Sequence, residues 1–177
     1  SNAQKEASIW YFGERAGLDF SSGVPVTLED GQLNTQEGCA TISDASGNLL
    51  FYTDGSKIWD QNHQIMPNGT GLLGDFSSTQ SAIIVPKPDT PDLYYVFTVA
   101  KEGEPAGINY SEVDMNLNGG LGAVVSKNIS LHGPSMEKLT AVKHANGRDI
   151  WVLTHDWNNA DFVVFLVTPT GVDMNPV

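Results

Sequence analysis

Cysteine, positive charge, helical periodicity and long apolar runs are all scarce in this chain of 177 residues. Cys39 is the only cysteine, which excludes an intrachain disulfide and a thiolate metal cluster. It sits within an apolar strand pattern, where cysteine behaves as a small core residue rather than a nucleophile. Lys and Arg together number 9 against 21 Asp and Glu, a formal charge of −12. A field of that sign repels phosphate backbones and anionic lipid, so nucleic acid is not an expected partner. The acidic residues are dispersed, which is the pattern of a solvated surface rather than of one charge-selective site. No apolar run approaches the roughly 18 residues that a membrane-spanning helix needs, and membrane insertion is not expected. Ser1-Asn2-Ala3 has the look of a cleaved-tag remnant and is set aside.

A repeat fills most of the remainder. Three times a short apolar strand is followed by a turn, an aromatic-rich strand ending in Thr, and a third strand. The first copy runs through Cys39-Ala40-Thr41-Ile42, Leu50-Phe51-Tyr52-Thr53 and Lys57-Ile58-Trp59. The second uses Ser81 to Val85, Tyr95-Val96-Phe97-Thr98 and Ile108-Asn109-Tyr110. The third uses Lys138 to Val142, Trp151-Val152-Leu153-Thr154 and Val163-Val164-Phe165. Runs of β-branched and aromatic residues bounded by Gly, Pro, Asn and Asp read as strands. Fourth strands are expected at Gly71-Leu72-Leu73, Ala123 to Ser126 and Gly171 to Met174. Upstream, Ile9 to Phe12, Leu18 to Phe20 and Val24 to Leu28 read as strands two, three and four of a unit that lacks its innermost strand.

Units of about 45 residues match a four-stranded propeller blade. The expected fold class is therefore all-β and β-propeller-like, with about four blades of four-stranded antiparallel sheet. The expected partial propeller domain spans 4–177, with the incomplete blade at 8–30 and further blades at 37–75, 79–128 and 136–177. Six to eight blades need about 270 to 360 residues, so the chain is expected to form part of a larger propeller. An open arc exposes strand edges and blade faces, which implies self-association through the open blade edges.

Several stretches carry a family resemblance. Ile9-Trp10-Tyr11-Phe12-Gly13, Asn34-Thr35-Gln36-Glu37-Gly38-Cys39-Ala40-Thr41-Ile42-Ser43-Asp44 and Gly47-Asn48-Leu49-Leu50-Phe51-Tyr52-Thr53-Asp54-Gly55 are three of them. His63-Gln64-Ile65-Met66-Pro67-Asn68-Gly69 and the segment Lys138 to Gly147 are two more. Together they resemble the N-terminal propeller-like region of large secreted Bacteroidetes surface proteins, which often carry PKD-type domains and a C-terminal sorting or gliding-motility-associated domain. The resemblance implies export to the cell surface by the type IX route and a recognition or adhesion role. It supplies no catalytic motif.

Candidate sites follow from the repeat register. Glu37, Gln80 and Glu137 occupy equivalent positions just before the innermost strand, so three polar side chains would ring one channel mouth. They suit a cation or sugar hydroxyls, and they serve equally as strand-end caps facing water. Across the same rim, Asp54-Gly55 and the run His155-Asp156-Trp157-Asn158-Asn159 leave the second strands. The latter joins hydrogen-bonding groups to a flat apolar ring, the chemistry of a sugar site, although Asn and Asp also populate plain turns.

A catalytic reading would pair Glu137 or Asp54 with a second carboxylate or with His155, since glycoside hydrolysis uses an acid and a base or nucleophile about 5–10 Å apart. The aspartate box of sialidase propellers is not reproduced. Thr53-Asp54-Gly55-Ser56-Lys57-Ile58-Trp59 has its composition but not its spacing. There is no Gly-x-Ser-x-Gly elbow and no His-Glu-x-x-His pair. Asp44-Ala45-Ser46-Gly47-Asn48 begins like a calcium loop but lacks its glycine and its final acidic ligand, and so reads as a hairpin turn. The aromatics Trp10, Tyr52, Trp59, Phe97, Tyr110, Trp151 and Phe165 recur at matching positions and read as inter-blade core. The functional expectation is a non-catalytic binding or adhesion module, secreted to the cell surface, that recognises a glycan or a surface protein without a cofactor or metal. A glycoside-active, sialidase-like or other hydrolase is the alternative.

Overall fold

A computed structural model of the chain describes residues 5–177; Ser1-Asn2-Ala3, set aside above, lie outside the described residues. The fold is all-β and propeller-like, a succession of four antiparallel sheets. The first sheet has three strands, β1 (Ile9–Phe12), β2 (Ala16–Asp19) and β3 (Val26–Leu28). The second is β4 (Ala40–Ser43), β5 (Leu49–Thr53), β6 (Lys57–Asp60) and β7 (Ile65–Thr70). The third is β8 (Ala82–Pro86), β9 (Leu93–Val99), β10 (Ile108–Asp114) and β11 (Ala123–His132). The fourth is β12 (Ser135–Lys143), β13 (Ile150–Asp156), β14 (Phe162–Thr168) and β15 (Gly171–Val172). Each is an up-and-down meander, and β4, β8 and β12 adjoin one another in succession as the innermost strands. Among the described residues no helix is long and apolar enough to cross a membrane.

The sequence explains the layering. A strand covered on both faces needs apolar residues at successive positions rather than in alternation. In β9, Tyr95, Phe97 and Val99 point to the fourth sheet while Val96 points to the second, and all four are buried. Three cores result, one between each successive pair of sheets. The Thr expected to end each second strand is buried in every copy, at Thr53, Thr98 and Thr154, although β9 continues to Val99 and β13 to Asp156. Thr53 donates to the Lys57 carbonyl at 2.6 Å, and Thr154 to the Lys138 carbonyl at 2.8 Å. The β4–β5 connection is the expected hairpin turn: the Asp44 carboxylate accepts the N–H groups of Ser46 and Asn48, which turns the chain locally.

Several expected boundaries shift. The fourth strand of the second sheet is Ile65–Thr70, and Gly71-Leu72-Leu73 lies beyond it. Gly71 sits at φ 72°, outside strand geometry. Pro67 is accommodated because β7 is an outer strand, where a missing N–H leaves no ladder bond unmade. The fourth sheet's innermost strand starts at Ser135, and its register shifts between Ser135 and Leu139, so Glu137 lies inside a bulged strand rather than before it. Half-buried Trp151, on the face of β13 opposite to buried Val152, does not join the inter-blade core, and neither does Trp10. Trp10 is 50 % exposed, because it projects from the face of β1 opposite to buried Tyr11.

The free edge of β1 is capped by a side chain. Thr41 Oγ1 accepts the Tyr11 N–H at 3.0 Å and lies 3.3 Å from the Tyr11 carbonyl, to which it donates. The Cys39 thiol approaches the same carbonyl at 3.4 Å. Burial pushes that thiol up from its ordinary pKa, helped by the Asp54 charge, which keeps Cys39 protonated and inert.

Candidate functional site

One rim of the molecule is assembled from loops that lead into the innermost strands and loops that follow the second strands. A relay of peptide hydrogen bonds runs along it. Gln36 and Glu37 donate their N–H groups to the Phe76 carbonyl, and Gly38 donates to Ser78. Gln80 in turn donates to the Glu137 carbonyl at 3.0 Å. Gly38 is required for this approach, since a Cβ there would stand 2.1 Å from the Ser81 nitrogen. Beneath it the buried Ser81 hydroxyl lies 2.8 Å from the carbonyls of both Gly38 and Asp54, and fastens the second sheet to the third.

The residues singled out by sequence divide into two groups. Asp54 and Glu137 are committed to structure. Asp54 is 5 % exposed. Its Oδ1 accepts the N–H groups of Ser56 and Lys57 and the Ser56 hydroxyl, each at 2.8 Å. Glu137 bridges two loops: Oε2 accepts the Thr79 N–H and hydroxyl, and Oε1 accepts the Glu102 N–H at 2.7 Å. Partial burial disfavours its charged form, but those donors outweigh burial and hold its pKa below the usual carboxylate value. Gln80 stays exposed, and its Oε1 accepts the Leu139 N–H at 3.1 Å. Glu37 and Asn158 are exposed.

The run at the end of β13 is also partly internal. Asp156 accepts from His132 Nε2 at 2.8 Å and from Asn159 Nδ2 at 2.6 Å. The His132 bond is the leading cause of its lowered pKa. Because a carboxylate only accepts, Nε2 carries the proton of His132. His155 turns Nδ1 to the Asp156 carbonyl at 2.7 Å and packs edge-on against Phe162. Trp157 lies over Gly103, where a Cβ would come within 2.2 Å of the indole. The third and fourth sheets are thereby joined at the rim by Glu137, by His132 with Asp156, and by Trp157 on Gly103.

Two rim residues escape a reading of the sequence. Phe76 is 45 % exposed, and its carbonyl also accepts the Thr35 hydroxyl at 2.7 Å. An aromatic residue isolated in the polar loop Gly74-Asp75-Phe76-Ser77-Ser78 was the available signal. His132 carries none, since nothing local marks the last residue of β11 as the partner of Asp156.

The rim therefore presents Phe76 beside the backbone of Glu37, with Gln80 a few residues along the same loop. This arrangement offers an apolar ring and neutral and anionic hydrogen-bonding groups to an incoming surface. Among the described residues no cluster of three or more His, Cys, Asp or Glu is placed to hold a metal ion. No protein-family model, curated protein or solved structure matches the chain.

Proposed function

We propose that this chain is a non-catalytic binding module of a secreted cell-surface protein, and that it recognises a glycan or a surface protein through this rim. The observation that carries the reading is the exposed Phe76 ring, held by its own carbonyl against the backbone of exposed Glu37. Aromatic rings take up the C–H face of a sugar or an apolar side chain, and adjacent carboxylate and amide groups take hydroxyls or amides. The export component rests on the resemblance to Bacteroidetes surface proteins. A glycosidase needs two carboxylates free to meet one bond, whereas Asp54 and Glu137 are occupied by loop donors.

The test is binding of the chain to a glycan array and to intact cells, with Phe76→Ala and Glu37→Gln as variants. Each variant is expected to keep its circular dichroism spectrum and to bind about tenfold more weakly, a loss of about 1.4 kcal/mol. Absence of any bound glycan or cell-surface protein, or binding that neither variant disturbs, would overturn the proposal. Turnover of aryl glycosides that disappears in Glu137→Gln would replace it with the hydrolase.

A further inference from the structure

Both end sheets expose an apolar face, and the two faces are of opposite kind. In an antiparallel sheet, residues directly opposite one another share a face. On the first sheet Tyr11 faces the second sheet and is buried, so Trp10 with its partner Leu18, and Phe12 with its partner Ala16, lie on the other face. Trp10 is 50 % and Phe12 37 % exposed. Phe12, Ala16 and Leu18 border a hollow of about 500 Å³ whose rim also carries Glu14, Arg15 and Glu29. On the fourth sheet Val152 and Phe165 are buried against the third sheet. The opposite face carries the cross-strand row Val142, Trp151 and Leu166, and beside it Leu153 with Val164. Val142 is 57 % exposed, and Phe162 on the same face is 68 % exposed.

The molecule makes this kind of contact three times within itself. In each internal interface a sheet's forward face, exemplified by Phe51 of β5 or Phe97 of β9, packs on the backward face of its successor, exemplified by Val96 or Val152. The fourth sheet's forward face and the first sheet's backward face are the two halves of one more such interface. Trp151 and Leu153 stand on β13 as Tyr95 and Phe97 stand on β9, facing forward at alternate positions.

We infer that a second copy of this chain covers these faces head to tail, the first sheet of one copy packing on the fourth sheet of the other. Each contact joins two unlike faces, and two copies related by a twofold axis satisfy both contacts at once, the first sheet of each meeting the fourth sheet of the other. The partner is specified by continuity: the only surfaces shown to fit such a face are sheets of this same repeat, and one copy carries both.

Sedimentation velocity and light scattering over a concentration series test this. Wild-type chain is expected to be a dimer that dissociates on dilution. Trp10→Glu and Val142→Glu each place a charge in both interfaces of a closed pair, and each is expected to be monomeric with an unchanged circular dichroism spectrum. An equimolar mixture of the two variants is expected to regain a 1:1 complex, because one interface in the mixed pair has both faces intact. Phe162→Glu, the most exposed of these positions, substitutes for Val142→Glu if that variant fails to fold. A wild-type chain that stays monomeric at high concentration would leave the faces to sheets outside this chain and overturn the inference. So would a mixture that stays monomeric, or a single variant that remains dimeric, since a seam built from like faces leaves one of the two variants paired.

Discussion

The interface between the first and second sheets and that between the third and fourth share one architecture and are built from different chemistry. The first is a stack of aromatic rings, two of them tyrosines. Tyr11 and Tyr52 lie 4.8 Å apart and Tyr52 and Trp59 5.6 Å apart, ring to ring. Their polar ends form a circuit: Tyr11 donates to Asp30 at 2.7 Å, Tyr52 lies 3.0 Å from His63 Nδ1, and His63 Nε2 lies 3.3 Å from Asp30. Asp30 can only accept, so neutral His63 carries its proton on Nε2 and receives the Tyr52 hydroxyl at Nδ1. The Gln32 N–H, at 3.1 Å, donates to the Tyr52 oxygen. By contrast, the interface of the third and fourth sheets centres on Phe97, Val99, Ile108, Val152, Phe165 and Val167, all at 0 % exposure. Apolar packing is non-directional and scales with area, whereas the tyrosine circuit fixes one angle between two sheets. Cohesion in the fourth sheet's interface is thus set by volume, and in the first sheet's by stereochemistry.

Truncating the apolar interface has the largest expected effect. Phe165→Ala leaves a cavity with no polar group to recruit water, and should cost about 3–5 kcal/mol in denaturant unfolding. Next, Tyr52→Phe keeps the ring stack but strands His63 Nδ1 and the Gln32 N–H. It should cost about 1–3 kcal/mol, and a double-mutant cycle with His63→Ala should show coupling, while the same cycle with Phe165→Ala should be additive.

Acid is the mildest probe and the most selective one. The Tyr11 hydroxyl, against the opposing effect of burial and with help from the backbone and His63, holds Asp30 below its ordinary value of 3.8. A depressed carboxyl contributes stability that is present above the ordinary value and is lost as pH falls below it. Unfolding midpoints followed downward through that range should drop less steeply in Asp30→Asn than in wild type. Equal slopes would show that the circuit adds only shape to the interface.

These contrasts mark where sequence was informative. The strands of the third sheet were legible because doubly covered strands write themselves as continuous apolar runs, as Leu93 to Val99 does. β7 was not, since Pro67, Asn68 and Gly69 carry turn chemistry and only their position on an outer edge permits a strand. The register that aligned Glu37, Gln80 and Glu137 led to one connected rim. It could not distinguish Glu137, whose partners Thr79 and Glu102 come from other loops, from Glu37 at the surface. Asp54 looked like a ligand for the same reason that it is a turn residue, its reach to neighbouring N–H groups. His132 owes its setting to a partner on another sheet, Asp156, which no local pattern encodes.

The Thr41 hydroxyl on the free edge of β1 has a consequence for how the chain behaves in a crowd. An unpaired strand edge is a template on which other extended chains can add, and such addition starts aggregation. Thr41 both accepts from and donates to the Tyr11 peptide groups, so one side chain imitates the backbone of a neighbouring strand at the middle of a four-residue strand. The incomplete sheet is thereby kept from recruiting strangers. Growth of fibrils seeded at this edge requires that Thr41 first let go, and Thr41→Val, which keeps the shape and removes both bonds, exposes the edge without enlarging it.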